Sequence, residues 1–138
     1  MSNFTIAHLE RLIDETGVVP AINQIELHPR FQQRRLRDFH LRHNIATESW
    51  SPLGRGRLFE DPTIVAIAKK HHKSPAQVII RWHIDNGLVV IPKSVTPARI
   101  RENIDVFDFT LDIDDLTAIE RLDESGGRVG PDPDTAVF

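Results

Sequence analysis

Leu88-Val89-Val90-Ile91-Pro92-Lys93-Ser94-Val95-Thr96-Pro97-Ala98-Arg99 decides the architecture. Its first five residues are a continuous apolar run, the pattern of a strand buried on both faces of a parallel sheet. Thr96-Pro97 then starts a helix to about Asp105, with a hydroxyl at the cap and proline at the first helical position. A strand that feeds a helix directly is one repeat of an alternating strand–helix chain, and helical crossovers demand parallel strands.

The alternation extends in both directions. Upstream, Ser74-Pro75 opens a helix carrying Val78, Ile79 and Trp82 that stops at Asn86-Gly87. Asp61-Pro62 opens another, with Ile64, Ile67, Ala68 and His71 on one face. Ile45 to Trp50 reads as a strand that ends in the loop Ser51-Pro52-Leu53-Gly54-Arg55-Gly56. Residues 32–43 read as an Arg-rich helix with Leu36, Phe39 and His43 at helical spacing, and Ala21 to Leu27 as a strand stopped by His28-Pro29. Residues 5–16 form a helix by the spacing of Ile6, Leu9, Leu12 and Ile13, with Gly17 just past its end. Downstream, Asp112 caps a last helix bearing Leu116, Ile119 and Leu122, and from Ser125 the Gly, Pro and Asp content reads as a loose tail. Three full strands and a stub at residues 1–3 are too few to close an eight-stranded barrel. No Gly-rich dinucleotide turn follows the first strand.

Bulk properties narrow the function. The 138 residues are 40% apolar and 27% charged with a net charge of −3, an ordinary soluble composition with no basic tail for nucleic acid. No apolar run approaches the roughly 20 residues that cross a bilayer, and the first residues do not read as a signal peptide. The absence of cysteine removes disulfides, thiolate metal sites and cysteine nucleophiles, and fits a reducing, cytoplasmic setting. Of seven histidines, His40 with His43 and His71 with His72 lie close in sequence, but neither pair sits in a zinc-binding pattern. His28 reads as a structural turn residue. The run Arg34, Arg35, Arg37, Arg42 reads as a solvated helix face.

In barrel architectures chemistry sits in loops at the C-terminal strand ends. Lys93, Ser94, Thr96 and Arg99 surround a helix start, where free N–H groups and the helix dipole favour an anion such as a phosphate monoester. On spacing alone, a capped helix with solvated charges stands as the alternative, since helix starts with cations are common. Trp50 ends its strand near the mouth, where an indole can stack on a flat ring or belong to the core. Ser51-Pro52-Leu53-Gly54 is either a plain turn or a close approach for pyrophosphate. Asn23 and Gln24 need partners, since a buried unpaired amide costs about 1–3 kcal/mol. Gln24 can face a ligand carboxamide, and Asn23 fits a structural network.

Taken together, several segments resemble the aldo-keto reductases, close to the bacterial branch that includes 2,5-diketo-D-gluconate reductases. They are Ser2-Asn3-Phe4, Pro20 through Pro29, Glu48 through Gly54, Val90 through Pro97, Arg99, Glu102-Asn103 and Phe107-Asp108-Phe109. The resemblance runs from residue 2 to about 123. It implies an α/β fold that is the C-terminal half of a TIM (β/α)8 barrel, residues 1–124, with parallel strands, outer helices and a tail at 125–138. It implies NADP(H) as cofactor and reduction of a small carbonyl substrate in the intact enzyme. By that likeness Ser2, Asn3 and Gln24 hold the nicotinamide carboxamide, and Trp50 stacks on the ring. Ser51, Leu53 and Gly54 follow the pyrophosphate; Lys93, Ser94, Val95 and Arg99 grip the 2′-phosphate; Glu102 and Asn103 contact adenine. The tail at 126–138 would border the substrate pocket. The family's tyrosine, lysine, aspartate and histidine catalytic set precedes the serine–asparagine pair, here residues 2 and 3, and the chain has no tyrosine. The expectation is therefore a cofactor-binding half without catalytic residues, inactive alone. Its exposed barrel edges would pair with a second copy or with an N-terminal half, and it would have no nucleic-acid or membrane partner.

Overall fold

Four side chains fix where helices begin. Thr5, Asp61, Ser74 and Asp112 each accept a hydrogen bond from a backbone N–H of the first turn that follows, supplying an acceptor the helix lacks internally. The chain, described here over residues 1–136 by a computed structural model, runs α1 (Ile6–Thr16), β1 (Ile22–Glu26), α2 (Arg34–Arg42), β2 (Ala46–Trp50), a 3-10 turn at Gly54–Gly56, α3 (Pro62–His71), α4 (Pro75–Asp85), β3 (Val89–Val90), α5 (Pro97–Ile104) and α6 (Ile113–Glu120). The strands form one parallel sheet in the order β1-β2-β3, with Gln24 opposite Glu48 and Glu48 opposite Val89. A single parallel bridge from Ser2 to Gln24 adds the strand stub on the far side of β1.

Strand alternation divides the sheet into unlike faces. Ile25 and Leu27 point toward the helices and join Leu9, Phe39, Ile64, Val78, Ile79, Trp82 and Ile119 in the buried core. The other face carries Ile22, Gln24, Ala46, Glu48 and Val89, all exposed or half-buried. Asn23 lies on the helix side as a structural residue. Its amide donates to Phe4 O at 2.9 Å and to His40 Nε2 at 3.0 Å. Because Nε2 accepts, the neutral His40 ring carries its proton on Nδ1 and donates to Thr47 Oγ1 at 2.8 Å. Burial pulls the His40 pKa down to about 4.

Three local readings change. Leu88–Pro92 is not buried on both faces: only Val89 and Val90 pair as strand, and Val89 and Ile91 are 42% and 48% exposed. Among the described residues β3 is an edge strand whose only neighbour is β2, so one flank and one face lack cover. The arginine-rich helix begins at Arg34, because Gln33 takes a left-handed conformation (φ 46°) and donates its amide to Glu26 O at 2.6 Å. Its arginines are not all solvated, since Arg34 pairs with Asp123 at 3.1 Å and Arg37 donates to Asn86 at 2.9 Å. The tail is tied down at Val129 and Gly130, whose N–H groups both donate to the Glu26 carboxylate.

Candidate functional site

The loops after β2 and β3 face one another across a cleft of about 700 Å³. One wall is Ser51, Pro52, Leu53 and Arg55; the other is Lys93, Ser94, Val95, Arg99, Glu102 and Asn103. The sequence thus places two distant loops together. The β2 loop is unusual in backbone: Ser51 and Arg55 sit at φ 48° and 55°, a left-handed region that costs a non-glycine residue about 1–3 kcal/mol. Two turn bonds hold it, Gly54 N to Ser51 O at 2.8 Å and Gly56 N to Leu53 O at 2.9 Å. Gly54 is packed beneath the loop, where a Cβ would come within 3.1 Å of Leu58.

The opposite wall is a helix start that lacks its cap. Thr96 occupies the cap position of α5 but makes no side-chain bond to the helix, unlike the other hydroxyl and aspartate caps. Its own N–H is taken by Ser94 Oγ at 3.2 Å. Lys93 and Arg99 are exposed, and among the described residues neither joins an ion pair. Free helix N–H groups beside two unpaired cations attract an anion.

A second group joins the middle of β1 and β2, the end of β2 and the stub. Asn3 N donates to Gln24 O at 2.7 Å, and Trp50 Nε1 donates to Asn3 Oδ1 at 2.7 Å. The Gln24 side-chain amide donates to Glu48 across the strand pair. Ser2 and Asn3 also line a shallow cavity with Phe4, His8 and Pro133. Trp50 and Ser51 are consecutive, so this group adjoins the cleft at the end of β2. One side can hold an anion and the other can present an indole face and amides to a flat polar ring.

The sequence reading did not single out Glu26, which is buried, Glu48, which bonds Gln24, or Arg55, which lines the cleft. A carboxylate between Ile25 and Leu27 in a strand was the available signal, since a charge there needs a partner. Glu26 is 1% exposed and accepts from Gly130 N at 2.9 Å and from His28 Nε2 at 3.2 Å. Burial lowers the His28 pKa, against the opposing hydrogen bond to Glu26. The neutral ring therefore donates from Nε2, and its buried Nδ1 has no partner among the described residues. Among the described residues no three metal-ligating side chains converge, and no helix is long and apolar enough to cross a membrane.

Comparison with known proteins gives a consistent result. A model of the aldo/keto reductase family matches residues 1–124. An aldo-keto reductase of Mycolicibacterium smegmatis is 59% identical over 138 residues, which are 100% of this chain and 50% of the relative. The methylglyoxal reductase DkgA of Escherichia coli is 61% identical over 134 residues, 96% of this chain and 48% of the relative. Among solved structures, a Gox0644 variant in complex with NADPH superposes with a TM-score of 0.97 at 64% identity, covering 99% of this chain and 51% of that one. An aldo-keto reductase from a deep-sea metagenome gives 0.94 at 39% identity, covering 99% and 52%. The chain spans about half the length of these proteins, and its parallel strands and outer helices are those of a partial barrel.

Proposed function

The chain belongs to the aldo/keto reductase family, and from that premise we propose that it is the part of an NADPH-dependent carbonyl reductase that holds and orients the dinucleotide. The observation that carries this reading is the cleft that joins the β2 loop to the uncapped, cationic start of α5. Lys93, Ser94, Val95 and Arg99 hold the 2′-phosphate, where two cations and free N–H groups match a doubly charged monoester. Ser51, Leu53 and Gly54 follow the pyrophosphate, and Glu102 and Asn103 meet adenine. Ser2, Asn3 and Gln24 take the nicotinamide carboxamide, and Trp50 stacks on the ring. Glu48 engages the Gln24 nitrogen and so leaves the Gln24 oxygen to accept from that carboxamide.

When bound, the dinucleotide supplies a hydride to a carbonyl carbon. The residues here fix which face of the ring is presented and exclude water from its back. By the family resemblance a tyrosine gives the proton to the developing alkoxide, and these 138 residues contain no tyrosine. Alone, the chain binds cofactor and does not reduce. Small aldehydes and ketones are the fitting substrates of the complete site, and methylglyoxal, which names the E. coli relative, is of that class. A cytoplasmic setting fits the absence of cysteine.

A second reading has its own observation. Val89, Ile91, Ile100, Ile104 and Phe107 are 42–72% exposed along and beside the β3 edge. An open strand edge with apolar neighbours invites pairing. The chain then works as a self-associating NADPH-binding module, or completes a barrel with a separately supplied N-terminal half.

Lys93→Ala and Arg99→Ala test the first reading. Each removes a charged contact of about 1.5–3 kcal/mol, or roughly 10–100-fold in NADPH affinity. NADH, which lacks the 2′-phosphate, should be unaffected. Equal losses for both dinucleotides, or none for either, contradict the assignment.

A further inference from the structure

The open face of the sheet has one anomaly. Ile22 and Gln24 on that face are exposed or half-buried, yet Glu26, next along it, is 1% exposed. The cover is the tail. Glu26 accepts the N–H groups of Val129 and Gly130, partners 103 and 104 residues away in sequence, as well as Nε2 of the buried His28. Gly130 also lies against Trp50, the register partner of Glu26: a Cβ at Gly130 would stand 2.3 Å from Trp50 Cη2 and 2.9 Å from Glu26 Oε2. Only a residue without a side chain fits between carboxylate and indole.

Two further contacts bring the tail to that point. Glu124 N donates to Arg30 O at 3.0 Å, and the Arg128 guanidinium stacks over Phe31 at 4.7 Å. Gly127 passes so close to the Arg30 carbonyl that a Cβ would overlap it at 1.8 Å. The indole is then held at both edges, by Asn3 at Nε1 and by the Gly130 backbone at the six-membered ring.

We propose that Glu26 is a positioning residue: it latches Val129 and Gly130 onto the edge of Trp50, fixing the indole plane and making the tail backbone a wall of the ring site. The wall's role toward a ligand rests on the proposed function of Trp50. The latch does not, because it exists between residues of this chain alone. A carboxylate suits the task, since it presents two acceptor oxygens to two adjacent N–H groups, and charged acceptors bind them more strongly than neutral ones. Glutamine at this position would turn an NH2 group toward one of those donors.

The test uses the 15N-labelled chain, with Glu26→Gln and Gly130→Ala compared against wild type. Amide exchange at Val129 and Gly130 reads the latch, and the indole Nε1–H resonance of Trp50 reads its effect; the buried Trp82 resonance serves as fold control. In wild type both amides should be protected. E26Q should lower that protection roughly tenfold or more, the scale of one charged hydrogen bond. E26Q and G130A should both move the Trp50 resonance and leave that of Trp82 in place. Should E26Q perturb Trp82 as well, the decision falls to G130A, which alters only the tail. Unprotected amides in wild type, or a Trp50 resonance unmoved by G130A, overturn the latch. NADPH titrations of the same samples separate the two claims. Protected amides without NADPH binding leave the latch standing and sink the ring-platform role of Trp50. Equal NADPH affinity in wild type and in a G130A chain with a displaced indole overturns the wall.

Discussion

Lowering the pH from 7 to 5 should cost this chain about 4 kcal/mol of stability, through two imidazoles. His40 and His83 are both fully buried, and burial pulls each pKa from 6.5 down to about 4. The unfolded chain therefore binds protons that the folded chain refuses, and stability falls as pH drops through the window from 6.5 to 4. One pKa unit is worth about 1.4 kcal/mol, so each ring costs about 3 kcal/mol at the bottom of that window and about 2 kcal/mol at pH 5. The lowered pKa of His28 acts in the same direction. The carboxylates work lower: Asp112, held to about 2 first by Lys70, loses its contribution only between 3.8 and about 2. Against a typical total of about 5–15 kcal/mol, a loss of 4 is large. Urea unfolding at pH 7, 6 and 5 gives the free energies, and His40→Gln should reduce the drop by about 2 kcal/mol. A stability that stays flat from pH 7 to 5 refutes the assignment of two neutral buried rings.

Other substitutions probe separate parts of the account. Asp112→Ala removes the capping box of α6 together with a Lys70 partner, and should lower the urea midpoint of unfolding; an unchanged midpoint would mean the cap is idle. Phe107→Glu, at a side chain 71% exposed beside the β3 edge, should shift sedimentation toward monomer at high concentration, and an unchanged distribution removes that face from any self-association. Trp50→Ala should weaken NADPH and NADH alike, by roughly tenfold, because ring stacking does not sense the 2′-phosphate; a loss confined to NADPH would place the indole elsewhere.

Much of the fold was legible because its signals are local. Asp61-Pro62, Ser74-Pro75 and Asp112 announce helix starts within four residues, and each is found capping. The sequence likewise suggested a structural network for Asn23, whose amide donates to Phe4 O and His40 Nε2. What failed depended on neighbours. The run Leu88–Pro92 has the composition of a central strand, but composition cannot say whether a second strand is there to cover it. The tail looked loose because glycine, proline and aspartate carry no packing signal, and its tether is a carboxylate some hundred residues away. The empty cap at Thr96 was invisible for the same reason: threonine before proline reads as a cap whether or not its hydroxyl is used.

The most direct test of the central claim is a fluorescence titration of the purified chain with NADPH, run beside NADH. The account predicts saturable binding with a clear preference for NADPH, arising from Lys93, Arg99 and the open start of α5. No saturable binding, or equal affinity for the two dinucleotides, would contradict it.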